Sequence, residues 1–357
     1  DFCVRGRPGA RLRLFGFALA VLCALPVWDM TQSDDIYNNR TANNSLINQW
    51  SATQVYVSKG FVYPFLHSVK SASDAPPEGY DADRAETILS AYTDADIPED
   101  KKVSVISIML ESYDDFSKYG TPTLDPKVYA DYHALEEESI TGDLITNIFA
   151  GGTVDTERAF LTGYTDLWNF RTNTNSYGWY FGSQGYTVEG SHPSYDWFYN
   201  RRNVNGYLGI PTYYFLENLY SELSPVTIAP DSILFQEIYN LYAANRDGAG
   251  GPYFSFNVTY QGHGPYDTEE VWRGDHYTDG RYSTETANIV DNYLGSVADT
   301  AEQLAVLVDR LRQEERPVVL VVFGDHKPWL GYSNSAYQEL GVNLDTSTVE
   351  GFYNYYG

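Results

Sequence analysis

Three short apolar runs and one long amphipathic stretch dominate the hydrophobic pattern after residue 100. The runs, at 103–110, 254–259 and 318–323, are rich in β-branched residues, which is typical of strands buried on both faces. Between the last two runs, apolar residues recur at helical spacing over 286–312, and Pro317 separates this helix from the next strand. This alternation predicts an α/β fold with a mainly parallel sheet sandwiched by helices.

A different pattern begins the chain. Residues 14–28 carry no charge; four arginines lie within 1–13, and three aspartates lie within 29–35, an order that places the start in the cytoplasm and the body outside. The run is shorter than the roughly 20 residues that span a bilayer, so a signal-peptide core and a short buried helix are alternatives. Because the chain starts at Asp1 and stops in mid-pattern at Gly357, we interpret it as a fragment beginning with the last transmembrane helix of a longer protein.

The composition divides the chain into four predicted segments. These are a cytoplasmic basic flank (1–13), a transmembrane helix (14–28), a polar juxtamembrane connector (29–100) with an aromatic amphipathic stretch at 47–66, and a folded domain (101–357). We therefore expect a membrane protein with this folded domain on the extracytoplasmic side.

Composition and charge narrow the classes of partner. The 357 residues carry a formal net charge of −25, and nucleic-acid binders need basic patches, so no nucleic-acid partner is expected. The two cysteines, Cys3 and Cys23, both lie in the N-terminal region, which excludes disulfides and cysteine chemistry from the body. The 32 tyrosines are typical of clefts that bind sugars or lipid headgroups, and equally of a wet core.

Ionisable side chains follow all three predicted strands. Glu111 follows the first strand, His263 lies in the Gln-Gly-His-Gly-Pro segment after the second, and Asp325 and His326 follow the third. Ligands of open α/β sheets bind beyond the carboxyl ends of the strands, so these side chains should meet at one edge. Two carboxylates and an imidazole suit Mn²⁺, Mg²⁺ or Zn²⁺, whereas each residue alone is more typical of a turn or a local hydrogen bond.

Thr153 follows two glycines and precedes a helical pattern. The simplest interpretation is a helix N-cap. A hydroxyl at a helix N-terminus also meets free amide groups and the positive end of the dipole, which favours a phosphoryl group. Metal coordination would lower the pKa of this hydroxyl and make it a nucleophile. Both interpretations can hold at once.

A second constellation follows a predicted strand at 186–188. It contains His192 and then Tyr199 and Arg201 within an aromatic segment at 197–202. Arg201 can bind phosphate oxygens through its forked N–H groups, and His192 can hydrogen-bond a headgroup or a leaving oxygen. A surface loop with an aromatic anchor is the competing interpretation.

Taken in order, these motifs resemble the lipoteichoic acid synthase family of phosphoglycerol transferases, within the alkaline phosphatase and sulfatase superfamily. The motifs are Leu110-Glu111-Ser112, Gly152-Thr153, His192 with Phe198-Tyr199-Asn200-Arg201, His263-Gly264-Pro265-Tyr266, and Gly324-Asp325-His326. The resemblance runs from about residue 100 to the end, and implies an alkaline phosphatase/sulfatase-like fold.

The resemblance also implies roles for the residues of these motifs. The implied ligands of one divalent ion, Mn²⁺ in well-known members, are Glu111, Thr153, Asp325 and His326. The implied phosphoglycerol-binding residues are His192, Tyr199, Arg201 and His263. Thr153 would attack phosphatidylglycerol, release diacylglycerol and pass the phosphoglycerol group to a glycolipid or growing polymer, with His263 assisting proton transfer. These roles remain expectations at this point.

Some positions depart from the family pattern, and other functions stay open. Gly152 stands where members often carry Lys, Tyr199 stands where they often carry Trp, and we expect Lys327 at the surface. Sulfatases need a C/S-x-P-x-R motif, which is absent around Thr153. Phosphoethanolamine transferases depend on further histidines and disulfides that this sequence lacks at the matching places. A non-catalytic binder of glycolipid or cell-wall polymer is the remaining alternative.

Overall fold

The structure of the protein is a computed structural model. It describes residues 9–40, 52–71, 76, 78–165, 170–248, 250–274, 276–277 and 280–357. The chain divides into two compact units, residues 1–93 and 94–357. Residues 1–8 of the predicted basic flank and 47–51 of the predicted aromatic stretch lie outside the described residues.

The described part of the first unit is helical. Its helices are α1 (Ala10–Gln32), α2 (Asp34–Asn39), α3 (Ala52–Lys59), α4 (Val62–Ser68) and α5 (Ala82–Leu89). Within the described residues, α1 is the one helix long and apolar enough to cross a membrane, a test that signal sequences and buried helices also satisfy. It is longer than the predicted run at 14–28, because the helix continues into polar residues until Ser33 caps α2 by accepting a hydrogen bond from Ile36 N. Its place in a membrane stays a prediction.

The second unit is built on a five-stranded sheet among the described residues. Its strands are β1 (Ser104–Leu110), β2 (Thr187–Ser191), β3 (Thr212–Tyr214), β4 (Tyr253–Val258) and β5 (Val318–Gly324), in the order β3-β2-β4-β1-β5. All four neighbouring pairs are parallel, which confirms the predicted α/β class. The predicted strand at 186–188 corresponds to the start of β2, whereas β3 was not predicted because its three residues form no recognisable pattern.

Helices cover both faces of this sheet. They are α6 (Ala130–Glu137), α7 (Thr153–Thr162), α8 (Tyr177–Ser183), α9 (Arg201–Tyr207), α10 (Ser221–Leu223), α11 (Asp231–Asp247), α12 (Thr284–Leu311), α13 (Ser335–Leu340) and α14 (Val349–Tyr356). The helix predicted at 286–312 is α12, which begins two residues earlier because Ser283 caps it by accepting a hydrogen bond from Thr286 N.

The two faces of β1 contribute to two different hydrophobic clusters. Ile106, Ile108 and Leu110 pack with residues of α11 and α12, while Met109 packs with residues of α7, α8 and α9. Successive strand residues point to opposite faces, so a strand covered by helices on both sides must be apolar at consecutive positions. Each fully buried side chain of this size contributes about 1.5–3 kcal/mol, and this core holds the carboxyl ends of the strands at one edge.

Candidate active site

The ends of β1 and β5 bring three buried ionisable side chains together. The strand register pairs Leu110 with Gly324, so that Glu111 and Asp325 leave the sheet side by side. Ligand atoms of Glu111, Asp325 and His326 all lie within 4.8 Å of one another. A side chain at Gly324 would place its Cβ 2.5 Å from the Tyr113 carbonyl oxygen, so this close approach requires glycine.

Asp325 is satisfied on one carboxylate oxygen only. Oδ1 accepts hydrogen bonds from Ser112 N and His326 N, each at 2.7 Å. Oδ2 lies 3.2 Å from His326 Nε2, yet has no hydrogen-bond partner among the residues that the structure describes. Burial, and then the charge of Glu111, raise the pKa of Asp325. This buried oxygen therefore faces a place that a cation would fill.

The imidazole of His326 is oriented by the backbone of the next residue. Nδ1 donates to the Lys327 carbonyl oxygen at 2.9 Å, which leaves the Nε2 lone pair directed at the carboxylates. Burial opposes a charged ring, but the carboxylates of Asp325 and Glu111 outweigh it and raise the pKa of His326. Two carboxylates and an imidazole nitrogen are a donor set for Mn²⁺, Mg²⁺ or Zn²⁺. A divalent ion would also neutralise two buried negative charges, so the site fits such an ion.

The hydroxyl of Thr153 lies against this group of ligands. Its Oγ1 donates to Glu111 Oε2 at 3.2 Å and lies 3.4 Å from His326 Nε2. Thr153 is the first residue of α7 and Gly152 is the N-cap, with no side-chain capping bond, so the N-cap interpretation of Thr153 is wrong. The side chain is directed at the carboxylate rather than at the amides of its own helix.

Backbone geometry explains the glycines before Thr153. Ala150, Gly151 and Gly152 have φ values of 56°, 122° and 82°, a left-handed path that favours glycine. A lysine at position 152, common in the resembling family, would strain this path. One turn into α7, Thr156 Oγ1 donates to the Asp325 carbonyl oxygen at 2.7 Å and ties the helix to the end of β5.

His192 and Arg201 form a second, basic group. Both are buried, so the surface-loop interpretation is wrong for these two side chains, whereas Trp197 in the same segment is 46% exposed. His192 Nδ1 donates to the Val258 carbonyl oxygen at 3.0 Å. Burial, followed by the charges of Arg201 and His263, holds the pKa of His192 well below its usual value. Arg201 Nε donates to Glu157 Oε2 at 3.0 Å, and both side chains are 2% exposed.

Tyr199 packs against Arg201. Its ring centroid lies 5.3 Å from the guanidinium carbon of Arg201. Burial raises the pKa of Tyr199 to about 12; Arg201 opposes this shift, and the charges of Glu111, Asp155 and Asp325 add to it.

The loop after β4 carries His263 to the same edge. A Cβ on Gly262 would lie 2.2 Å from the Glu111 carbonyl oxygen, so only glycine lets this loop pack directly on the end of β1. The exposed ring of His263 stacks on Tyr260 with centroids 4.8 Å apart, and the Tyr260 ring lies 5.9 Å from that of His192. All eight side chains singled out in the sequence thus surround one edge of the sheet, while their individual roles remain predictions.

Comparison with known proteins supplies the family. The sulfatase family profile matches residues 104–347, which is more than half of the chain. The chain belongs to the sulfatase family. A Rhizobium meliloti (strain 1021) protein named for cyclic beta-1,2-glucan modification is 26% identical to this sulfatase-family chain over 341 residues, which cover 92% of the chain and 52% of the relative. The chain therefore spans about half the length of the curated relative that it matches.

Solved structures agree on the fold of this sulfatase-family chain. The Streptococcus pyogenes phosphoglycerol transferase GacH, in complex with sn-glycerol-1-phosphate, superposes with a TM-score of 0.61 at 19% identity, covering 79% of this chain and 75% of GacH. The lipoteichoic acid synthase LtaP from Listeria monocytogenes superposes with a TM-score of 0.51 at 17% identity, covering 63% of this chain and 56% of LtaP. At these identities the likeness establishes the alkaline phosphatase/sulfatase-like fold, which confirms the fold that the resemblance implied.

Two features of this sulfatase-family site were missed from the sequence. Glu157 lies one helical turn after Thr153, on the same face of α7, and this i,i+4 spacing was the available signal. Lys327 is buried rather than at the surface, because its Nζ binds Asp114 Oδ1 at 2.7 Å and Tyr119 donates to the other oxygen of that carboxylate at 2.6 Å. No local sequence pattern predicts the ion pair between Lys327 and Asp114, because the two residues are so distant in the sequence.

Proposed function

We propose that this sulfatase-family chain transfers a phosphoglycerol group from phosphatidylglycerol to a glucan acceptor, through a covalent ester on Thr153. The supporting observation is the buried Thr153 hydroxyl at the N-terminus of a helix, 3.2 Å from an oxygen of Glu111. Glu111 lies in the same group as Asp325, one oxygen of which has no hydrogen-bond partner in the part of the chain that the structure describes. A hydroxyl in this place can attack phosphate while the helix amides receive the phosphoryl oxygens.

The chemistry of the site favours phosphate esters over sulfate esters. Val154, Asp155, Thr156 and Glu157 follow Thr153, so the C/S-x-P-x-R motif for formylglycine is absent from this part of the sequence. Arg201 suits phosphate because, with Nε held by Glu157, its terminal nitrogens can bind two phosphoryl oxygens. Because His192 donates from Nδ1 to Val258, its Nε2 is an acceptor for a glycerol hydroxyl.

The residues divide the reaction into two displacements. A divalent ion held by Glu111, Thr153, Asp325 and His326 would neutralise phosphoryl charge and acidify the Thr153 hydroxyl. In the first displacement Thr153 Oγ1 bonds to phosphorus, its proton passes to Glu111, and the diacylglycerol oxygen leaves with a proton from His263. In the second, a glucan hydroxyl bonds to phosphorus and gives its proton to His263, while the departing Thr153 oxygen recovers a proton from Glu111.

The acceptor and the location follow from the relatives and the first unit. The Rhizobium meliloti relative is named for glucan modification and matches 92% of this chain, which supports a glucan as acceptor. The length and apolar surface of α1 support an anchor in the bacterial cell membrane, with the second unit on the extracytoplasmic side near the lipid donor.

The decisive experiment is to trap the covalent ester. The protein with Mn²⁺ is exposed briefly to phosphatidylglycerol, and intact mass and peptide mapping locate any phosphoglycerol adduct. We expect the adduct on Thr153, and loss of turnover by about four powers of ten or more in Thr153→Ala. Thr162→Ala, in the last turn of the same helix, is the matched control and should keep full activity. Full activity of Thr153→Ala would instead indicate water as the nucleophile and a hydrolase.

A further inference from the structure

A cleft of about 640 Å³ lies beside the candidate active site, between the loop after β4 and helix α12. Its lining includes Gln261, His263, Tyr266, Trp272, Arg273 and Ser296. This volume falls within the roughly 300–1,000 Å³ typical of small-ligand sites, and the mixture of aromatic and polar side chains is typical of them too. The mechanism proposed above uses only His263 among these residues.

Trp272 is held in place and yet exposed. Its indole Nε1 donates to Asp267 Oδ2 at 3.0 Å, and its backbone N donates to Asn292 Oδ1 at 2.7 Å. Despite these bonds, 72% of the residue remains accessible to solvent. A large aromatic ring that is held by hydrogen bonds and still exposed is typical of a binding surface. Its apolar face can stack on the C–H face of a sugar ring.

A buried amide holds the turn that presents this tryptophan. Asn292, on α12, is 7% exposed, and its Nδ2 donates to the carbonyl oxygens of Asp267 at 3.1 Å and Glu270 at 2.8 Å. Gln261 is held on the other side of the cleft, where its Nε2 donates to Asp299 Oδ2 at 2.7 Å. Both walls are therefore ordered before a ligand arrives, which lowers the entropy cost of binding.

The charges of the cleft favour a neutral ligand. Asp267 is bonded to neutral N–H groups of Glu270, Trp272 and Glu269, which hold its pKa below the usual value and keep it ionised. The guanidinium of Arg273 lies 3.7 Å from Asp299, so its charge is already partly balanced. An anionic polymer would meet the Asp267 carboxylate, whereas the hydroxyls of a neutral glucan can donate hydrogen bonds to it.

The cleft adjoins the end of β1 through the loop that carries His263. Gly262 packs on the Glu111 carbonyl oxygen, and the Tyr266 hydroxyl donates to the Gly262 carbonyl oxygen at 2.5 Å. We infer that this cleft is the acceptor subsite, in which a glucose residue of a neutral glucan stacks on Trp272 and directs a hydroxyl past His263. This inference rests on the proposed function for the glucan acceptor and for the transferred group, but glucan binding is measured without transfer.

Binding is tested with cyclic beta-1,2-glucan as the probe. Calorimetry on the Thr153→Ala protein excludes turnover, and we expect binding that weakens at least about tenfold when Trp272→Ala is added, which equals about 1.4 kcal/mol. Trp272→Phe retains an aromatic face and should keep most of the affinity. Trp179→Ala, an exposed tryptophan on α8 outside the cleft, is the matched control and should bind as the parent protein does. Thermal unfolding of each variant checks that it is folded.

A kinetic readout separates the two proposals. In the protein with Thr153 intact, Trp272→Ala should raise the KM for glucan about tenfold and leave acceptor-free release of diacylglycerol unchanged. Equal glucan binding by the parent and both Trp272 variants, or no binding at millimolar glucan, would overturn the acceptor subsite. Trp272-dependent glucan binding without any diacylglycerol release would support the cleft and refute the phosphatidylglycerol donor.

Discussion

The candidate active site has an acidic wall at the ends of β1 and β5 and a basic wall near the ends of β2 and β4. The two walls stabilise their buried charges in different ways. On the β1–β5 wall, Glu111 and Asp325 are buried together, and one Asp325 oxygen has no hydrogen-bond partner among the described residues. On the β2–β4 wall, Arg201 is paired with Glu157 at 3.0 Å and His192 donates to a carbonyl oxygen. A cation from outside the chain would therefore complete the acidic wall, while the basic wall is completed by folding.

The physical reason is the cost of burying charge. An unpaired carboxylate in a protein interior loses its hydration and repels its neighbour, so the acidic wall is unfavourable until an ion occupies it. In the basic wall, Glu157 and the Val258 carbonyl oxygen already offset the cost of burying Arg201 and His192. Arg201 is therefore also needed for the stability of the folded protein. Loss of a cation and loss of an arginine should consequently have different effects.

The largest effect on activity is expected from removing the divalent ion from the acidic wall. Chelation with EDTA should abolish transfer, and Mn²⁺ should restore it. Asp325→Asn should lower turnover about a hundredfold to a thousandfold, the range for losing one electrostatic stabiliser, with partial rescue by excess Mn²⁺. Added Mn²⁺ should raise the melting temperature of the wild type more than that of Asp325→Asn. Asp247→Asn, at the surface end of α11, should behave as the wild type, and a melting temperature indifferent to Mn²⁺ would contradict the metal site.

A smaller, structural effect is expected on the basic wall. The phosphate-binding role that the sequence indicates for Arg201 predicts that Arg201→Ala mainly raises KM. Because Arg201 and Glu157 are both 2% exposed, the variant also leaves a carboxylate buried without its partner, so the free energy of unfolding should fall by about 3–5 kcal/mol.

An arginine whose partners are also exposed is the control for this comparison. Arg312 is 47% exposed, and its partners Asp309 and Glu138 are 69% and 66% exposed, so Arg312→Ala should cost about 1 kcal/mol or less. Urea denaturation measures both variants. Equal stability of Arg201→Ala and Arg312→Ala would show that the buried pair contributes nothing beyond a surface pair.

The smallest effect concerns the protonation of His192. Its pKa is depressed in the folded protein, so below about pH 6.5 the unfolded ring binds a proton that the folded ring does not. Stability is therefore present above that pH and falls as the pH drops, by up to about 1.4 kcal/mol per pH unit. His192→Asn should remove this contribution. Denaturation of both proteins between about pH 7 and pH 5 tests it, and a stability difference that does not change with pH would contradict it.

Much of this architecture was predictable because the governing signals are local. The apolar runs marked β1, β4 and β5 because strands buried on both faces need apolar residues at consecutive positions. Residues that follow parallel strands share one edge of the sheet, so the meeting of Glu111, Asp325 and His326 followed from their places in the sequence. Strand β3 was not predicted, because three residues with one buried side chain show no periodic pattern.

By itself, the sequence determined the fold class, the edge at which the chemistry lies and the residue types available there. Only the tertiary structure decided which partner each side chain takes. Arg201 bonds to Glu157, and Lys327 bonds to Asp114 across 213 positions of sequence. Thr153 turns from its helix amides toward Glu111 because Ala150, Gly151 and Gly152 follow a left-handed path. Such pairings depend on which buried charged groups lie close together after folding. The spacing of residues along the sequence does not predict the distance between groups that are far apart in the chain.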